Sequence, residues 1–91
     1  MNVNSLPGHE LVLKGIDDLA RGIESDVALL VSIGAPRLRQ AGLEIPGAFA
    51  APEHRLYELL AAEDEDSAHA RYNALVRRLV SFERAADALA R

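Results

Sequence analysis

Ala68, Tyr72, Leu75, Leu79, Phe82, Ala86 and Leu89 are spaced 4, 3, 4, 3, 4, 3, and no Gly or Pro interrupts the run. Alternating steps of four and three return apolar side chains to one stripe of an α-helix, whereas a strand would scatter them over both faces. The series predicts one helix over about 67–90, roughly 35 Å long at 1.5 Å per residue. Val76 widens its stripe. An apolar stripe of that length has to be covered by other helices. The acidic turn Glu63-Asp64-Glu65-Asp66 precedes it. Ser67 or Asp66 can cap the helix there, and carboxylates beside its first turn favour the helix dipole by about 0.3–1 kcal/mol.

A second apolar series supplies the cover. Val12, Ile16, Leu19, Ile23, Val27 and Leu30 recur at helical spacing, with Lys14, Asp17, Asp18, Arg21 and Glu24 on the other side. The expectation is one helix over about 9–33, although Gly15 and Gly22 each cost about 1 kcal/mol relative to Ala and a break at Gly22 is the alternative. Gly34-Ala35-Pro36 should end it, since Pro36 removes a donor and disfavours the α region for Ala35. Pro36 can then open a short helix to Ala41, closed by Gly42 with Leu43 as the apolar residue beyond. Residues 43–52 read as an irregular connection laid across the core, with Ile45 and Phe49 as apolar pins and Pro46-Gly47 as a turn. Pro52 starts a further helix over about 53–63, carrying Leu56, Tyr57, Leu59 and Leu60. The expected fold is all-α, a single domain over 1–91. It is a small helical bundle of two long antiparallel helices (about 9–33 and 67–90) and two short ones (about 36–41 and 53–63).

Composition narrows the chemistry. Apolar residues make up 49% of the 91 positions, and the only aromatics are Phe49, Tyr57, Tyr72 and Phe82. The scarcity of rings disfavours recognition of bases or flat cofactors by stacking. With no cysteine, disulfides, thiolate metal sites and thiol nucleophiles are excluded. The net charge of −4 opposes general binding to polyanions. Arginine outnumbers lysine nine to one beside sixteen alanines, a composition that suggests a bacterial source. The first residues lack a basic leader, and the longest apolar run, 27–33, falls short of the ~20 residues of a membrane span. A cytoplasmic protein without membrane contact is expected.

Three groups of residues merit attention as sites. Gly8, Gly15 and Gly22 recur every seven residues, as where another backbone packs closely. Arg71, Arg77, Arg78 and Arg84 form a basic stripe along the last helix, near six acids in 53–66 that are offset only by Arg55. Such a stripe can track phosphates; pairing with the acidic segment is the simpler reading, and no recognition-helix signature accompanies it. Arg37, Arg39, His54, Arg55 and Tyr57 surround the 43–52 connection and could hold a small anion or simply pin the loop. His9, His54 and His69 each have a carboxylate nearby in sequence, yet the core positions of both long helices are aliphatic, contrary to what a di-metal bundle needs. No serine lies in a nucleophile elbow and no glycine loop carries the residues of a phosphate cradle. The sequence therefore calls for no cofactor, no metal and no catalytic step.

The functional expectation is a protein–protein interaction or self-association module, since two long apolar faces exceed the cover that two short helices provide. A homodimer or a helical partner is expected, with Val76, Leu79, Val80, Phe82 and Leu89 as the contact candidates and Ile16 and Ile23 on the core side. Val80 lies outside the predicted seam, so its exposure would mark a second contact face. Nucleic-acid binding through the arginine stripe and anion binding near the loop are the alternatives.

Overall fold

The computed structural model describes residues 3–90. A 3-10 turn at Val3–Ser5 leads into α1 (His9–Ala20), α2 (Asp26–Gln40), α3 (Pro52–Glu63) and α4 (Ala68–Ala90). All regular structure among the described residues is helical, and no helix there is long and apolar enough to cross a membrane.

The helix expected over 9–33 is two helices. Gly22 takes a left-handed φ of 72°, the Ile23 N–H donates to the Asp18 carbonyl at 2.8 Å and the Gly22 N–H to that of Leu19 at 3.0 Å. This pair of bonds is a Schellman closure, which meets the carbonyls left open at a helix end. Ser25 then caps α2: its hydroxyl accepts from the Ala28 N–H at 3.1 Å and donates to the Asp18 carboxylate at 2.6 Å. Asp18, buried at the corner, also receives Lys14 Nζ at 3.4 Å. The Ser25 hydrogen bond, with Lys14 behind it, holds the Asp18 carboxyl below the usual aspartate range. Ile23, expected on the core side, is carried out by the corner and is 47% exposed.

A second correction concerns Pro36, which neither ends one helix nor starts another. It lies inside α2, where an interior proline costs about 3 kcal/mol or more. Burial compensates. Val27, Ala28, Leu29, Leu30 and Val31 are consecutive and all buried, and Ala35 and Leu38 continue the burial, so α2 is the central helix and packs against α1, α3 and α4. A helix apolar on all sides is one enclosed by others. The expected pair of long antiparallel helices is thus replaced by one long helix, α4, set against α2, with α1 and α3 completing the cover.

Close approach depends on two helical glycines. A Cβ on Gly15 would stand 2.4 Å from the Val27 carbonyl oxygen and from Val31 Cγ2, and one on Gly34 would stand 2.8 Å from Glu83 Oε2 and 2.9 Å from Leu79 Cδ1. Of the glycines recurring every seven residues, Gly8 and Gly15 do meet a neighbouring backbone, whereas Gly22 has nothing within 4 Å and serves the corner.

α2 ends as expected, with the Leu43 N–H donating to the Leu38 carbonyl and the Gly42 N–H to that of Arg39. Leu43, Ile45 and Phe49 pack on the core, and the Ser32 hydroxyl accepts the Phe49 N–H at 3.1 Å, fastening the connection across α2. α3 and α4 match their expected spans. In α4, Ala68, Leu79, Phe82 and Ala86 are buried, Tyr72 and Leu75 half-buried, and Leu89 exposed.

Two outcomes follow from this packing. Gly15→Ala should destabilise the fold by about 1–3 kcal/mol through overpacking, although the same change in an open helix would stabilise; a thermal melt showing a gain in stability would contradict the α1–α2 contact. Asp18→Asn should lower stability at neutral pH. Because the folded Asp18 carboxyl titrates below its unfolded value, that contribution is present above the unfolded pKa and disappears as pH falls through the folded one. Denaturant midpoints of the two chains should therefore converge in acid.

Candidate functional site

Two of the five residues around the 43–52 connection hold it. Arg39 Nη2 donates to the Ile45 carbonyl at 3.2 Å and the Pro46 carbonyl at 3.1 Å. Arg55 forms a salt bridge with Glu24 and sits 5.6 Å from the centroid of the Phe49 ring, within range of a cation–π attraction. His54 pairs with Glu58 one turn along α3, and Tyr57 meets Tyr72 with centroids 6.0 Å apart. Arg37 lines a cleft beside α4, so of the five only Arg39 and Arg55 hold the connection.

The arginine stripe divides. Arg71 pairs with Glu63 at 3.1 Å, as the nearby acidic segment suggested, and Arg78 with Glu10 of α1 at 3.6 Å. Arg77 and Arg84 are exposed and take part in no salt bridge or hydrogen bond among the described residues. Two of the four positions are thus neutralised within the chain.

The contact candidates also divide. Leu79 is 2% exposed and Phe82 is 0% exposed; both belong to the monomer's own core, where α4 packs with α2, α3 and α1. That corrects their place on an outer surface. Val76 is half-buried and packs on the core. Val80 is half-buried too, short of the exposure expected of a second contact face, but it is outside the set of residues packed on the core. Leu89 is 52% exposed. Nine residues are about two and a half helical turns, so Val80 and Leu89 point to opposite sides of α4 and cannot share one contact face.

What the fold does assemble is a flank. Val76, Val80, Glu83 and Asp87 are spaced 4, 3, 4, a second stripe beside the core seam. Its polar half borders a cleft of about 410 Å³ between α2 and α4, lined by Arg37, Gln40, Glu83, Arg84 and Asp87. Arg37 and Arg84 belonged to different candidate groups in the sequence; the fold places them in one site. Glu83 is only 8% exposed while the other four are exposed. Gly34 makes the room for it, since a Cβ there would meet its carboxylate. Burial pushes the Glu83 carboxyl above the usual glutamate range, and the Arg37 charge opposes that rise.

Glu83 was not legible as a site residue: one acid flanking an apolar seam reads as a solvated charge. Gly34 was its only signal, since a glycine inside a helical pattern calls for a packing reason. The three histidines do not converge. His9 Nδ1 lies 2.9 Å from the Leu6 carbonyl, His54 pairs with Glu58, and His69 Nε2 lies 3.2 Å from Asn73. Among the described residues no three of His, Asp and Glu are grouped as metal ligands. Comparisons with protein-family models, curated proteins and solved structures find no match, so the functional reading rests on the geometry of the site.

Glu83→Gln tests the burial of this carboxyl. A raised folded pKa makes the native state lose stability as pH rises through the folded value. The variant should therefore be more stable than the native chain at neutral pH, with the gap closing in acid. A native chain that is the more stable of the two at neutral pH would show the carboxylate to be satisfied.

Proposed function

We propose that this chain is a non-catalytic association module that pairs with a second copy of itself through the Val76–Val80 side of α4. The observation that carries the reading is Val80, an aliphatic side chain on the longest helix that is half-buried without packing on the monomer's core. A second copy is favoured by the charges beside it. In an antiparallel pair centred on Val80, positions equidistant from it meet, which brings Arg77 towards Glu83, Asn73 towards Asp87 and Val76 towards Arg84 across the axis. The first two pairings are complementary in charge or hydrogen bonding, Val76 can lie along the aliphatic stem of Arg84, and a two-fold arrangement makes each of them twice. The alanine- and arginine-rich composition supports a bacterial cytoplasmic setting for this role. Nucleic-acid binding is the weaker reading, because Arg71 and Arg78 already have carboxylate partners.

Multi-angle light scattering over a range of concentrations measures the pairing directly. The native chain should approach twice the monomer mass as concentration rises, and Val80→Glu should hold it at the monomer mass while its circular dichroism stays helical. A chain that remains monomeric at high concentration ends the proposal, as does a dimer that Val80→Glu leaves intact.

A further inference from the structure

The α2–α4 cleft brings together two cations that have no hydrogen-bond or salt-bridge partner among the described residues. They are Arg37 and Arg84, which enter it from different helices. Each guanidinium offers five N–H donors in a planar fork and stays charged at any working pH. Gln40 adds an amide one turn along α2 from Arg37. Glu83, the buried member of the lining, makes no hydrogen bond among the described residues either. Asp87, the remaining carboxylate, has an interaction of its own. The cleft volume of about 410 Å³ lies in the ~300–1,000 Å³ range of small-molecule sites.

We propose that this cleft is a binding site for a small organic carboxylate, gripped by the Arg37 and Arg84 guanidiniums and Gln40 above the buried Glu83. The sign of the ligand follows from the exposed lining, where two guanidiniums and an amide stand against one carboxylate, Asp87, so an anion can accept paired N–H donors from each arginine. Glu83 sets a pH dependence. In its neutral form it donates a hydrogen bond to a ligand oxygen; ionised, it repels the ligand. The charged groups facing it are Arg37 from α2 and Arg84 and Asp87 along α4. Arg37 pulls Glu83 toward ionisation, and a carboxylate bound to Arg37 cancels that pull. Ligand binding and protonation of Glu83 therefore favour each other, and affinity falls as pH rises.

The test is a titration of ¹⁵N-labelled protein with succinate, followed by its backbone and side-chain resonances, with butane-1,4-diamine as a cation of matched length. Succinate should give saturable shifts centred on Arg37, Gln40, Glu83 and Arg84, and the diamine none. Arg37→Ala and Arg84→Ala, both at exposed positions, should each weaken succinate binding by about tenfold or more while the rest of the spectrum remains native. Glu83→Gln should bind succinate at least as well as the native chain and lose the native chain's decline in affinity with rising pH. The proposal is overturned by a lack of saturable succinate shifts, by diamine shifts at the cleft, by arginine variants that bind as the native chain does, or by loss of binding in Glu83→Gln. Run at a concentration where light scattering gives the monomer mass, the titration does not depend on pairing, so failure here is distinct from failure of the self-association reading.

Discussion

At Gly15 the Val27 carbonyl lies where a Cβ would stand, and at Gly34 the Glu83 carboxylate does. The first approach fixes how near α1 comes to α2, the second makes room for side chains of α4, and burial depends on both. Because dispersion contacts weaken steeply with a gap of half an ångström or more, a Cβ at Gly15, which would meet the Val27 backbone, would loosen the α1–α2 contact, whereas one at Gly34 would displace the Glu83 and Leu79 side-chain ends. Close cover on successive turns is what allows Val27 through Val31 to be buried without a break. It also explains how α2 tolerates Pro36: the helix is held by neighbours more than by its own propensity.

The same tightness accounts for two carboxylates with opposite behaviour. Asp18 is buried at a corner that supplies a hydroxyl donor and an ammonium, so its charged form is favoured and binds the end of α1 to the start of α2. Glu83 is buried opposite Gly34 with no hydrogen-bond donor among the described residues, so its neutral form is favoured. Burial alone raises a carboxyl pKa, and donors reverse the sign. The corner is therefore a structural device fully satisfied within the chain, whereas Glu83 is left with capacity that only solvent or a ligand can meet.

Much of this was readable before the structure. The spans of α3 and α4, the Gly42 closure with Leu43 and the core-facing connection all follow from periodicity and turn chemistry. The α1–α2 corner did not, because Leu19 and Val27 keep helical phase across Gly22, and an intact period hides a chain reversal. The continuation of α2 through Pro36 was hidden for a different reason: local rules disfavour it, and the burial that compensates is tertiary. At the site, Arg37 and Arg84 were visible as unassigned cations, but their convergence depends on how α2 and α4 cross. The contact residues drawn from the α4 seam divided for the same reason, since periodicity identifies an apolar stripe without saying whether this chain or another covers it.

The α4 flank joins the two functional readings. Its upper half, Val76 and Val80, is aliphatic; its lower half, Glu83, Arg84 and Asp87, is charged and faces Arg37 and Gln40 across the cleft. The donors that a carboxylate needs stand on both helices. Its binding therefore bridges α2 and α4, and any ligand that binds only the folded arrangement stabilises that arrangement by mass action. If both events occur, they communicate through Glu83. A dimer that brings Arg77 towards Glu83 favours its ionised form, whereas a bound carboxylate favours its neutral form. Association and ligand binding would then oppose each other, with the protonation of one buried side chain setting the balance.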